Sequence, residues 1–100
     1  MSPEADLRLA ELVAVRPAGG VLATEVDGEL VLLEPDSGRY FGLNALGVAV
    51  WEELAAADQP AAVVERLLAR FEVDRATLEA DVAQLIAELE RAGLLHVVRG

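Results

Sequence analysis

The chain has 100 residues, of which 54% are hydrophobic and only 4% aromatic, and 18 acidic against 8 basic side chains give a net charge of −10. A chain of this length forms one domain with one core, burying roughly two thirds of its unfolded surface or a little less. The charge repels phosphate backbones and anionic lipid, the absence of cysteine excludes disulfides and thiolate chemistry, and no apolar run approaches the roughly 20 residues of a membrane span.

Residues 1–11, MSPEADLRLAE, are acidic and lack the basic region and long apolar run of a signal peptide, which points to the cytoplasm. Leu7, Leu9, Glu11, Val13 and Val15 alternate with Arg8, Ala10, Leu12, Ala14 and Arg16, a blurred period of two that permits a strand or an extended arm before Pro17. Residues 1–12 are read as an N-terminal arm and 13–98 as the folded domain.

After the Ala18-Gly19-Gly20 turn, Val21 to Val26 and Glu29 to Glu34 are aliphatic and β-branched runs joined by Asp27-Gly28. That dipeptide supplies the positive φ angles of a tight hairpin. Pro35-Asp36-Ser37-Gly38 carries turn residues throughout, so Arg39 to Leu43 returns as a third antiparallel strand. A three-stranded meander with one apolar face needs a helical layer to cover it.

Asn44 is suited to cap a first helix, which Ala45, Leu46, Val48, Ala49, Trp51, Glu52 and Leu54 continue to about Ala57. Trp51 is expected at the centre of the core. Asp58-Gln59-Pro60 starts a second helix, with Val64, Leu67, Leu68 and Phe71 at i, i+3, i+4 and i+7. Asp74 caps a third, in which Leu78, Val82, Leu85 and Leu89 share a stripe, Ile86 lies at its margin, and Gly93 ends the helix. Leu94, Leu95, Val97 and Val98 form an apolar tail expected to fold back on the domain.

Three strands followed by three helices predict an α+β, winged-helix-like domain. A DNA reader of that shape carries Arg, Lys, Asn or Gln on its third helix toward base edges. Here Arg75 and Arg91 stand against Glu79, Asp81, Glu88 and Glu90, and the chain has no lysine, so nucleic acid is not an expected partner. Chemistry has no evident seat either. His96 has no second histidine or cysteine with which to share a metal, and Ser2 and Ser37 have no neighbouring base. Carboxylates such as Glu52, Glu53, Glu79 and Asp81 read as solvated helix faces, and Gly19-Gly20 lacks the pattern of a phosphate loop. The expectation is a protein that is not an enzyme, with no metal and no cofactor.

What remains is the strand Arg39-Tyr40-Phe41-Gly42-Leu43, expected at a sheet edge with unpaired N–H and C=O groups. With a side-chain period of two, Phe41 and Leu43 face the helices and Tyr40 and Gly42 face the other way. An open edge beside the third helix would form a groove suited to an extended peptide.

The combination VLLEPDSGRYFGLN, AVWEEL and LEADVAQLIAELERAGLL resembles the PqqD-like domains known as RiPP recognition elements, over about Ala14 to Leu95. With GRYFGLN in a short chain it is most similar to the free-standing leader-binding proteins of lasso-peptide biosynthesis. The resemblance implies a module that captures the leader of a ribosomally made precursor peptide, often with a Tyr-x-x-Pro motif, as an added strand beside the third helix. It implies a peptide-binding edge of Arg39, Tyr40, Phe41, Gly42 and Leu43, with the helical wall drawn from Arg75 to Glu90. On that helix Leu78, Val82 and Leu89 are kept for the core, Leu85 and Ile86 are expected to make apolar contact, and Asp81 and Glu88 to meet polar or cationic leader groups. Val31 and Leu33 are expected to line a pocket under the peptide.

A leader peptidase and a macrolactam-forming cyclase are the implied further partners, and the chain would be a monomer or a weak dimer. A competing assignment keeps the fold and changes the pathway, to a PqqD-type chaperone presenting a precursor to a radical enzyme or a recognition element of another modified-peptide system. A transcription regulator would instead show salt-sensitive DNA binding, and a structural adaptor would bind protein without any leader.

Overall fold

The computed structural model describes residues 12–56 and 59–99. The expected N-terminal arm, apart from Leu12, lies outside the described residues, as do Ala57 and Asp58. The elements run β1 (Leu12–Pro17), β2 (Leu22–Val26), β3 (Glu29–Glu34), β4 (Arg39–Leu43), α1 (Ala45–Ala56), α2 (Pro60–Arg70), α3 (Arg75–Arg91) and β5 (Leu95–Arg99). Strands β2, β3 and β4 form an antiparallel meander, and β1 and β5 form a second, two-stranded antiparallel sheet. The architecture is α+β and winged-helix-like, as its local signals require.

Those signals act where the backbone needs them. Asp27 and Gly28 hold φ angles of 54° and 82°, the left-handed pair that turns β2 into β3 with the right twist. The β3–β4 turn closes on Glu34, whose carboxylate accepts hydrogen bonds from the backbone N–H of Asp36 (3.0 Å) and of Ser37 (2.7 Å). Asn44 Oδ1 accepts from the Gly47 N–H at 2.8 Å at the start of α1, and Asp74 Oδ2 accepts from the Thr77 N–H at 3.1 Å at the start of α3. At the end of α3, the Gly93 N–H donates to the Glu90 carbonyl (3.0 Å) and the Leu94 N–H to the Leu89 carbonyl (2.9 Å), with Gly93 at φ 79°. This doubly bonded reversal satisfies carbonyls that the helix leaves unpaired.

It also aims the chain into β5. The apolar tail does fold back, and it does so as a strand: Val15 pairs with Val97, Arg16 with His96 and Pro17 with Leu95, while Ala18 N–H donates to the Leu94 carbonyl at 2.9 Å. Arg99 anchors the far end through two 2.9 Å bonds to the Glu90 carboxylate.

The core is aliphatic and lies where the helices meet both sheets. Val15, Leu32, Val50, Val63, Leu67, Val82, Ile86, Leu89 and Leu94 are fully buried. Two aromatic expectations need correction. Trp51 is half-buried at the margin of the core, since α1 turns Val50 and Leu54 fully inward instead. Phe71 does not extend the α2 stripe: the helix ends at Arg70, and Phe71 leaves in extended conformation, exposed beneath the Arg70 guanidinium, 5.6 Å from the ring centroid.

Candidate functional site

Within the meander the register divides each strand into two faces. Leu30 lies across from Leu43, Leu32 from Phe41 and Glu34 from Arg39; the buried Leu32 and Leu43 mark this as the face turned to the helices. Val31 lies across from Gly42 and Leu33 from Tyr40 on the outer face, which β2 continues with Thr24 and Leu22. Among the described residues β4 is hydrogen-bonded on one side only, to β3. Its other side opens toward α3.

Two cavities occupy that opening. The first, about 210 Å³, is lined by Phe41, Gly42, Leu43, Asn44, Leu85 and Glu88. The second, about 310 Å³, is lined by Asn44, Leu46, Gly47, Asp81, Gln84, Leu85 and Glu88. Asn44, Leu85 and Glu88 border both, so the two form one trough running from the β4 edge past the first turn of α1 and along α3.

The helix wall follows from periodicity. Leu78, Val82, Ile86 and Leu89 point into the core, so Asp81, Gln84, Leu85 and Glu88, at i, i+3, i+4 and i+7, form the adjacent stripe. Gln84 Nε2 donates to Glu88 Oε1 at 3.3 Å, which steadies one carboxylate of the wall. The floor depends on Gly47. A Cβ there would stand 3.0 Å from Leu43 Cδ2 and 3.2 Å from Leu43 Cβ, so glycine lets the first turn of α1 sit against the end of β4.

The structure thus gathers Phe41, Gly42, Leu43, Asp81, Leu85 and Glu88 around one trough. Tyr40 belongs to the same edge strand but stands on its outer face, 74% exposed, and Arg39 lies exposed at the end remote from the cavities. Ile86 requires correction. It is wholly buried and packs in the core, so it offers no surface to a ligand. Val31 and Leu33 are half-buried on the outer face, across from Gly42 and Tyr40, and line neither cavity on the helix side.

Asn44, Leu46, Gly47 and Gln84 line the trough without having been singled out in the sequence as site residues, Asn44 having been read as a helix cap only. Only Gln84 carried a signal, standing between Asp81 and Glu88 at helical spacing. The wall is acidic, through Asp81 and Glu88, and otherwise apolar or amide in character. Among the described residues no group of three or more His, Asp or Glu comes together to hold a metal ion, and no helix is long and apolar enough to cross a membrane.

Comparison with known proteins bears on this geometry. Residues 29–95 match the family described as coenzyme PQQ synthesis protein D (PqqD). No curated protein matches the chain significantly. Among solved structures, TbiB1 in complex with the TbiA(beta) leader peptide is 33% identical with a TM-score of 0.74, the alignment covering 81% of this chain and 94% of TbiB1. A lasso peptide synthetase B1 complexed with the leader peptide is 28% identical with a TM-score of 0.75, covering 84% of this chain and 99% of the other. The matched span begins at β3 and runs through β4, all three helices and the start of β5, so it includes every element of the trough, and this chain belongs to the PqqD family.

Proposed function

We propose that this protein binds the leader segment of a ribosomally synthesised precursor peptide, of the lasso type, by adding it as a strand to β4 along the trough against α3. The observation that carries the reading is that, among the described residues, β4 is hydrogen-bonded on one side only and its other side faces a cleft, in a fold shared with two proteins that are described with a leader peptide. Backbone pairing along Arg39–Leu43 supplies sequence-tolerant affinity, and pockets for alternate side chains supply selection. Residues three apart in a strand face opposite ways. A Tyr-x-x-Pro leader would therefore offer one of its two marked residues to the trough and the other to the outer face.

The protein is a carrier and not a catalyst in this reading. By also touching a leader peptidase, and then a macrolactam-forming cyclase, it raises the effective concentration of the scissile region at those active sites. An interface of about 800 Å² per partner is the upper scale for a domain of this size and a short strand. DNA binding is disfavoured by the acidic wall of α3 and the charge of −10. The family description also suits a chaperone of another peptide-modifying pathway.

The test is titration of labelled leader peptides into the purified protein, with amide exchange read at Arg39–Leu43. Saturable binding that slows exchange along β4 supports the reading. Binding that leaves β4 amides unprotected sinks it.

A further inference from the structure

The trough outruns the strand that borders it. β4 ends at Leu43 and α1 begins at Ala45, yet the larger cavity, about 310 Å³, lies past that point, between the first turn of α1 and the part of α3 from Asp81 to Glu88. A peptide paired along β4 loses its backbone partner there, and whatever continues into this chamber is recognised by side chains. Asp81 and Glu88 stand two turns apart, or about 10 Å along the axis at 1.5 Å per residue. An extended chain covers that distance in about three residues. The chamber therefore receives residues that flank the paired segment closely.

Its lining is amphipathic. Leu46 and Leu85, both half-buried, supply apolar wall, Asp81 and Glu88 supply carboxylates, and no arginine or histidine lines it. The amides are engaged within the wall: Gln84 Nε2 donates to Glu88 Oε1 at 3.3 Å, and Asn44 Oδ1 accepts from the Gly47 N–H at 2.8 Å. Among the described residues none bonds the exposed Asp81 carboxylate. An acidic stripe alone is only a solvated helix face. Here the stripe walls a cavity that runs on from the strand edge, so its charge faces the path of a bound peptide.

We propose that this chamber is a subsite for a basic side chain, lysine or arginine, carried by the peptide just outside its paired segment. The inference rests on the strand-addition reading and adds where a charge on the peptide must stand. A long basic side chain suits both halves of the lining: its methylene stem lies along Leu46 and Leu85 while its cationic head stays in water beside Asp81 and Glu88. Strands pair somewhat more stably antiparallel than parallel, and in that sense the residues past the end of β4 come before the paired segment of the peptide. The basic residue therefore precedes that segment. Backbone pairing alone tolerates many sequences and registers, so a charge read at one flank fixes both register and direction.

The experiment selects displayed random peptides on the full chain at low salt and follows β4 amide exchange with and without each enriched peptide. Methylating the peptide nitrogens one at a time marks the paired residues, since a methylated nitrogen cannot donate. Affinities are read by fluorescence anisotropy for the wild type, the Asp81→Asn, Glu88→Gln double variant, and a Glu25→Gln, Glu72→Gln control that removes the same charge from β2 and from the α2–α3 connection, away from the trough. Lysine or arginine should be enriched within about three residues before the paired segment. Norleucine in its place should weaken binding about three- to fivefold in the wild type and the control, and less than about twofold in the double variant. Asp81→Asn alone, at an exposed position, serves if the double variant does not fold.

Peptides that protect β4 amides overturn the subsite and leave strand addition standing if they show no basic preference, carry it at the opposite flank, or respond to norleucine equally in the double variant and the control. Peptides that leave β4 amides unprotected overturn strand addition, and the subsite with it.

Discussion

Tyr40 lies directly across from Leu33 in the β3–β4 ladder, on the face turned away from the core, while the next residue, Phe41, turns inward opposite the fully buried Leu32. One aromatic serves the surface and its neighbour the fold. Tyr40→Ala should therefore leave unfolding free energy within about 0.5 kcal/mol of wild type, as for exposed sites generally. It should weaken leader binding about tenfold, or ~1.4 kcal/mol. Thermal melts and peptide titration check the two halves separately. A variant that melts early, or that binds as well as wild type, refutes the division of roles.

Leu85 and Ile86 should behave as opposites although they are adjacent. Leu85 borders both cavities and Ile86 is wholly buried. Leu85→Glu puts a third carboxylate into an already acidic wall and should cut peptide affinity by more than tenfold while the domain stays folded. Ile86→Ala leaves a void in the core and should cost about 2–5 kcal/mol of stability. Its affinity should be close to normal at temperatures where it remains folded. Chemical denaturation paired with titration distinguishes them, and equal stability losses in the two variants contradict the assignment.

That pair also marks where sequence reading ran out. Caps and turns were legible because each is set by a few consecutive residues: Asp27-Gly28, Asn44, Asp74 and Gly93 occupy the places their chemistry predicts. Edge position followed from chain order, since β4 is the last strand of the meander. Leu85 and Ile86, in contrast, are separated by only 100° around the helix, and the stripe of Leu78, Val82 and Leu89 admits either at its margin until neighbouring elements fix the rotation. The pairing of β1 with β5 joins the two ends of the domain, and nothing local in either strand names its partner. The place of Asn44, Leu46 and Gly47 in the trough was not legible for the same reason, as they line a site only because α1 starts where β4 ends.

Asp81 and Glu88 give the α3 wall its charge. Peptides with a basic residue on the helix-facing side should bind more weakly as salt rises, since exposed ion pairs are screened. In the Asp81→Asn, Glu88→Gln double variant that dependence should flatten, with affinity at low salt reduced about three- to fivefold, the scale of one or two exposed pairs. Titration at low and high salt reads both effects. An unchanged salt slope in the double variant shows that the charges do not meet the peptide.

Arg99 holds β5 against α3 by donating through both terminal nitrogens to the two carboxylate oxygens of Glu90, each at 2.9 Å. That hydrogen bonding, ahead of the charge attraction, keeps the Glu90 carboxyl below its ordinary value. Its folded pKa lies under its unfolded one, so the contribution is fully present above the ordinary glutamate value of about 4.3 and is lost as pH falls through the folded value. Glu34, through bonds from Ser37, and Glu65, through Arg75, shift in the same direction.

Acid therefore weakens all three contacts. Down to the pI of about 4.3 it also relieves the self-repulsion of a chain carrying −10, and below that point the arginines leave a net positive charge that repels in its turn. The informative quantity is the difference between wild type and Arg99→Gln, in which the global charge effect largely cancels. At pH 7 that difference should be below about 1 kcal/mol, because the pair is partly exposed. It should close as the pH is lowered to 3, where a protonated Glu90 no longer binds the guanidinium as a carboxylate. Denaturant melts of both proteins at the two pH values provide the measurement. A gap that persists at pH 3 shows that Arg99 stabilises β5 by packing and not through Glu90.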